Sequence, residues 1–322
     1  MKPAKPVKKP SKSQARKRGK KPAAVPASIS AYEPAPREQL EKLEAALPVN
    51  KVQRIDYAAF CKNELMLVDK QNQLIDFIPN AVQLRYLDTD FTGRDIILKA
   101  RQQGFSTAID AMIAADFIAL KPNSYSVIVA DTDDNAELLL ERVKLFIQAY
   151  ETKNDVKLQL KYNSRYELYH TFLNSRITIG TAKNTDFGRS RTITNLHLSE
   201  AAYYPDILRI MAGAGQAVIE SGKLILETTA NGYNEFKTLW DEAVNGESSF
   251  KAIFYKASDF YDAKFLEQKR HDLGRLYLQE YPETPEDAFL TSGDAFFNPE
   301  ILRVYQKATI DPLDIASRLT YV

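Results

Sequence analysis

Four short stretches of this chain carry residue types and spacings suited to phosphate chemistry. The first is "LKARQQGFSTAIDAM", residues 98–112. A loop of the pattern G-x-x-x-x-G-K-[ST] cradles phosphates with inward-facing amides and sets a helix start behind them to stabilise negative charge. Gly104 and Ser106 fit that frame, and Ser106 stands at the position of the hydroxyl that ligates Mg2+. Phe105 occupies the lysine position, however, and Lys99 stands where the first glycine belongs. Lys99 and Arg101 are the substitute cations; Ala100, Gln102, Gln103 and Thr107 complete the loop. Taken alone, a strand followed by a Ser/Thr-rich helix start is also an ordinary piece of α/β structure.

The second stretch, "TITNLHLSEAAYY" (192–204), is a mostly apolar run that ends in an acid. In a nucleotide site such a strand end supplies one carboxylate to organise Mg2+ and a second to orient water. Ser199 replaces the first acid and Glu200 keeps the second, so Glu200 is a candidate general base, or else a solvated strand-end glutamate. The third, "LILETTANGYNEF" (224–236), ends in Thr228, Thr229 and the pair Asn231-Gly232. Hydroxyls and an amide there can sense a terminal phosphate, or simply form a common Asn-Gly turn. The fourth, "DFGRSRTIT" (186–194), offers Arg189 and Arg191 just before the second stretch, either to neutralise transition-state charge or as surface contacts.

These stretches need a framework that brings them together. "RDIILKA" (94–100), "YSVIVAD" (125–131), "TITNLHL" (192–198), "GKLILETT" (222–229) and "FKAIFYK" (250–256) are short apolar runs of the kind that form buried strands. Between them lie helical stretches: one from the loop to Leu120, with Phe105, Ile109, Met112, Ile113, Phe117 and Leu120 on one face; "NAELLLERVKLFIQAY"; and "PDILRIMAGAGQAVIE". "YELYHTFLNSRITIGTA" predicts a hairpin turning at Asn174-Ser175. Residues 51–88 predict a mixed helical segment, with a helix starting near Pro79. Alternating strands and helices predict a three-layer α/β fold with a mostly parallel sheet, in which ligands bind at the carboxyl ends of strands.

Bulk properties narrow the setting. At 322 residues and 44% apolar composition the chain can bury a sizeable core. One cysteine excludes a disulfide framework, three scattered histidines argue against a zinc site, and no apolar run is long enough to span a bilayer. A soluble, intracellular protein is expected. Residues 1–21 carry ten Lys or Arg and no acid, which leaves the rest of the chain with a net charge of −9. The first 35 residues are expected to be a disordered basic tail, able to contact phosphates by counterion release or simply to aid solubility.

Taken in order, the motifs resemble the ATPase domain of the large terminase subunit of tailed double-stranded DNA bacteriophages, the motor that packages the genome. The resemblance runs from about Gln83 to Phe297. "KARQQGFS" is similar to a variant phosphate loop with its lysine at the start, "HLSEAAYYPD" to the Ser-Glu form of the acidic motif, "ETTANGYNEF" to the coupling motif, and "QEYPETPEDAFLTSGDAFF" to the segment that closes the ATPase region. The resemblance implies a P-loop NTPase of the ASCE/RecA-like kind with ATP and Mg2+ as cofactors, and a division into a tail (1–35), a helical N-terminal segment (36–90), the ATPase core (91–258) and a helical lid or linker (259–322). It gives Lys99 the phosphate-lysine role, Glu200 the catalytic carboxylate, and Ser106 the metal, with Glu200 reaching the metal through water. Gln83 is the adenine-contacting glutamine, Arg189 the arginine finger offered to a neighbouring subunit, Arg101 a loop arginine that can serve in cis, and Thr228, Thr229, Asn231 and Gly232 the coupling residues. Implied partners are double-stranded DNA, the portal protein, the small terminase subunit and further copies of the chain in a ring, in host cytoplasm at the procapsid portal. The chain alone is expected to be monomeric. A different P-loop translocase of helicase type, or a weakly hydrolysing module that binds DNA or portal, are the alternative functions. Only 25 residues follow Phe297, so no nuclease domain is expected in this chain, an excised motor domain or the product of a split gene.

Overall fold

The computed structural model describes residues 56–69, 71–184, 191–291, 301, 304, 305 and 308. The basic tail and the first part of the helical N-terminal segment (36–55) lie outside them. Asp56 caps the first helix, α1 (Tyr57–Glu64), its carboxylate accepting from the Ala59 amide. Where the spacing predicts more helix, a small antiparallel hairpin follows, β1 (Met66–Val68) with β2 (Leu74–Asp76). Three-residue strands are too short for alternation to register in sequence; the Asp69 carboxylate, accepting from the amides of Gln71 and Gln73, sets the turn. Helix α2 (Ala81–Arg85) begins after Pro79 as predicted, with a capping box between Asn80 and Gln83, and runs into a π-helical turn at Tyr86–Asp90.

Next come β3 (Arg94–Lys99), α3 (Phe105–Ala115, prolonged by a π turn to Leu120), β4 (Tyr125–Ala130) and the 22-residue α4 (Asp133–Asn154). The predicted hairpin is present as β6 (Glu167–His170) and β7 (Ser175–Thr181), with β5 (Leu160–Asn163) added at its edge. The chain continues through β8 (Ile193–Ser199), α5 (Ile207–Gly213), β9 (Val218–Thr228), α6 (Glu235–Val244) and β10 (Lys251–Tyr255). It closes with α7 (Ala263–Leu273), α8 (Tyr277–Glu280) and α9 (Pro285–Thr291). The helical stretch predicted through Glu220 stops earlier: Gly213 ends α5, and Val218-Ile219 already belong to β9, as β-branched residues favour.

The strands form one eight-stranded sheet in the order β10-β3-β9-β8-β4-β7-β6-β5, parallel from β10 to β7 and antiparallel beyond. Alternate residues of each strand point to opposite faces. Ile97, Ile128 and Ile225 pack with α3, α4 and α1, while Ile96, Leu98, Leu198 and Leu226 pack with α5, α6 and α9. The result is a three-layer α/β domain. Helix α3 departs from its predicted one-sided pattern, since every residue from Ala108 to Ala119 is buried. Its alanines let α1 and α4 approach on the side away from the sheet. Among the described residues no helix is long and apolar enough to cross a membrane.

Candidate functional site

Register brings the first three stretches to one edge of the sheet. Lys99 ends β3, Ser199 ends β8 and Thr228 ends β9; Leu98 pairs with Thr228, and Ser199 with Glu227. The same alternation turns Lys99, Glu227, His197 and Ser199 toward α3. Their side chains meet in a buried polar cluster where the sequence suggested a plain apolar strand.

Between β3 and α3 the loop is held open from both sides. Gly104, the residue before α3, sits at φ 82°, and a Cβ there would lie 2.7 Å from Gln83 Nε2. Gln83 itself is buried; its Nε2 donates to the Gly104 carbonyl at 2.7 Å and its Oε1 accepts from the Asn80 amide. It thus stands beside the loop, with its amide engaged to loop and helix backbone. Gln103 is buried and donates to the Lys256 carbonyl, and Asn80 donates to the Gln103 carbonyl. Gln102 takes a positive φ of 58°. The first amides of α3 lack intrahelical acceptors and carry the positive end of the helix dipole. Phe105 is buried against Tyr255 and Tyr86, at ring-centroid distances of 4.5 and 5.9 Å, so the usual lysine position is spent on packing.

The two substitute cations are not equivalent. Arg101 points outward: its guanidinium pairs with Glu280 at 3.0 Å, its amide donates to the Glu280 carbonyl, and its carbonyl accepts from Tyr261. Lys99 is buried, with its Nζ 3.3 Å from Glu200 and 3.1 Å from Glu227. Burial works against its charge, but the two carboxylates outweigh that and raise its pKa.

Glu227 is the residue the sequence did not single out. It is fully buried, and its Oε1 accepts from Ser106 Oγ at 2.6 Å and from Ser199 Oγ at 2.7 Å. His197 Nε2 lies 3.5 Å from the same oxygen, and its Nδ1 is 3.2 Å from Asp110, which also takes Arg142 from α4 at 2.8 Å. Burial opposes charge on Glu227, yet Lys99 and His197 hold its carboxyl well below the usual carboxylate range. Burial likewise opposes the His197 imidazolium, but the hydrogen bond to Asp110 and the nearby Glu227 carboxylate raise its pKa to about 9. The polar alternation N-L-H-L-S over 195–199 is the sequence signal for this cluster.

Glu200 has φ 54°, a left-handed conformation that is costly for a non-glycine residue and is found where a side chain must be aimed. Its Oε2 accepts from Thr228 Oγ1 at 3.3 Å and from the Thr229 amide at 3.4 Å. Asn231 donates to the Ala202 carbonyl, and Gly232 takes φ 70° to complete the turn. The expected coupling residues therefore touch Glu200 or the backbone just after it. A cleft of about 540 Å³, within the roughly 300–1,000 Å³ of small-ligand sites, is lined by Lys99, residues 101–107, Glu200, Thr229 and Arg142. Arg142 is a cleft cation absent from the sequence-based candidates.

Arg189 lies outside the described residues. Its neighbour Arg191 stacks on Tyr125 at 5.3 Å, at the amino ends of β8 and β4, a strand length of about 20 Å from Glu200 at ~3.3 Å per residue. Of the two readings for Arg191, the surface contact is the one it makes; it does not line the cleft of its own chain. Among the described residues no group of three or more His, Cys, Asp or Glu side chains forms a ready metal cage. A Mg2+ ion here fits the mode in which one or two side chains, phosphates and water share the ligation.

No protein-family model matches the sequence, and the curated proteins give no match. Solved structures do match. The chain is similar to the ATPase domain of the Thermus phage P74-26 large terminase, with a TM-score of 0.51 and 21% identity over 63% of this chain and 92% of that one. It is also similar to the large terminase of bacteriophage HK97, with a TM-score of 0.51 and 16% identity over 73% of this chain and 50% of that one. The chain has the fold of large terminase ATPase domains.

Proposed function

We propose that this chain is an ATP hydrolase that drives double-stranded DNA into a viral procapsid. One observation carries the reading: on a terminase ATPase fold, Lys99, Ser106 and Glu200 converge on a single cleft at the carboxyl edge of the parallel sheet. The triphosphate would lie on the amides of residues 104–107 at the start of α3. Ser106 would hold Mg2+, with Glu200 reaching it through water; when bound, the ion neutralises phosphate charge.

The ion pair between Lys99 and Glu200 suggests how catalysis waits for substrate. In the structure Glu200 is engaged by Lys99 at 3.3 Å. A lysine ammonium has three donors, so Lys99 can stay on Glu227 and exchange Glu200 for a phosphate oxygen. Glu200 is then free to take a proton from the attacking water, held in place by Thr228 and the Thr229 amide. Loss of the terminal phosphate would return Lys99 to Glu200 and shift the 228–232 segment, the route by which hydrolysis could move DNA. Arg189, as an arginine finger, would act on the nucleotide of a neighbouring copy in a ring docked at the portal, to which the small terminase subunit would deliver DNA.

ATP hydrolysis and ATP binding measured in parallel test this. Glu200→Gln should abolish turnover and keep binding, while Lys99→Ala should lose both. Wild-type turnover in either variant removes that residue from the assignment.

A further inference from the structure

We infer that Glu227 is the metal-organising carboxylate of this site, supplied by β9 in place of the acid that Ser199 lacks on β8. The inference rests on the nucleotide-site reading and assigns a residue that motif spacing leaves without a role. In nucleotide sites of this kind Mg2+ is held by the loop hydroxyl and an acid at the end of another strand of the sheet. That acid would sit at position 199, where a serine hydroxyl is too short and lacks the charge. Ser199 and Glu227 face each other across adjacent parallel strands, so a longer side chain from β9 can fill the space an acid on β8 would take. It does so in the structure: Glu227 Oε1 lies 2.7 Å from Ser199 Oγ and 2.6 Å from Ser106 Oγ.

Three further features fit a cation ligand. A hydroxyl that donates its proton to a carboxylate keeps two lone pairs, so Ser106 can face a cation while bonded to Glu227. The second oxygen, Glu227 Oε2, is fully buried and has no aligned hydrogen-bond donor among the described residues; the Lys99 ammonium lies 3.1 Å from it. A carboxylate oxygen has two lone-pair sites, so Oε2 can accept a cation beside the Lys99 pair. Finally, Ser106, Glu227 and Lys99 lie on one side of the loop, with Lys99 and Ser106 lining the cleft. A serine at 199 is therefore the partner of a relocated acid, not a lesion in the site.

The test is the affinity for ATPγS, measured by calorimetry with Mg2+ in excess and again in EDTA. In the wild type Mg2+ should tighten binding. Glu227→Gln should reduce that tightening by on the order of 10–100-fold while leaving binding in EDTA in place, and moving the acid back with S199D/E227S should restore it. An unchanged Mg2+ effect in Glu227→Gln overturns the inference and leaves the nucleotide site standing. Should Glu227→Gln fail to fold by circular dichroism, the double variant decides, since it keeps one carboxylate for Lys99: a retained Mg2+ effect supports relocation and its loss refutes it. Wild-type protein that binds no ATPγS in either condition overturns the nucleotide-site reading and this inference with it.

Discussion

Replacing Lys99 by Met should destabilise the fold as well as the site, and the structure sets the size. Lys99 is 4% exposed, and its two acidic partners differ: the Glu200 side chain is 36% exposed, whereas Glu227 is 0% exposed. Losing the contact to Glu200 costs little, because water can take its place. Losing the contact to Glu227 strands a buried carboxylate, a change that typically costs about 3–5 kcal/mol. His197 remains 3.5 Å from Oε1 and compensates in part, which puts the expected cost near 3 kcal/mol. For a domain of this size each kcal/mol lowers Tm by roughly 2–4 °C, so the expected drop is about 6–12 °C. Thermal and urea unfolding followed by circular dichroism measure it. Adding Glu227→Gln to the same chain should recover most of the loss, since the stranded charge is then gone; a coupling of about 2 kcal/mol or more is expected. A single variant within about 1 kcal/mol of wild type, or a strictly additive double variant, would refute the argument that Glu227 depends on Lys99.

Other residues lead to equally definite outcomes. Phe105→Lys restores the usual loop lysine on paper, but it places a charge among Tyr86 and Tyr255 and should cost at least the ~3–5 kcal/mol of a large-to-small core change; a folded variant with tighter ATP binding contradicts this. Gly104→Ala should lose about 1–2 kcal/mol to its left-handed backbone and also displace Gln83, whose Nε2 would lie 2.7 Å from the new Cβ. Weaker nucleotide binding should accompany that loss, and unchanged stability and binding would count against the tie. Burial holds the His170 pKa below that of an ordinary histidine, against the pull of the Phe117 carbonyl. The unfolded chain therefore takes up this proton first, so this contribution to stability is complete above about pH 6.5 and falls as pH drops through the lower folded value. Urea midpoints from pH 7 to 5 should decline less steeply in His170→Gln; identical slopes would exclude His170 as a source.

Much of this was legible in the sequence because buried strands and their end residues leave a local pattern. The runs at 94–99, 125–130, 193–199 and 251–255 are strands, and Gly104, Phe105 and Ser106 occupy the turn, core and helix-start roles their types suggest. The hairpin at 66–76 was not legible, because its three-residue strands carry no period and polar turn geometry alone directs them. Glu227 was hidden for another reason. Its partners Lys99, Ser106 and His197 are 128, 121 and 30 positions away in the chain and meet it only through strand register. What the sequence did offer was the polar alternation of Asn195, His197 and Ser199, a sign that one face of β8 meets charge. Arg191 shows the mirror image: its surface reading holds, because closeness in sequence to Glu200 spans a whole strand and lands at the opposite end of the sheet.

The central claim is that this variant loop binds a nucleoside triphosphate with Lys99 as its phosphate cation. A crystal structure with a non-hydrolysable ATP analogue and Mg2+ tests it most directly. The account predicts the triphosphate on the amides of residues 104–107, Lys99 Nζ moved from Glu200 to a phosphate oxygen, and Arg101 still paired with Glu280. Phosphates held by Arg101 while Lys99 stays on Glu200, or an analogue bound away from this loop, would contradict it.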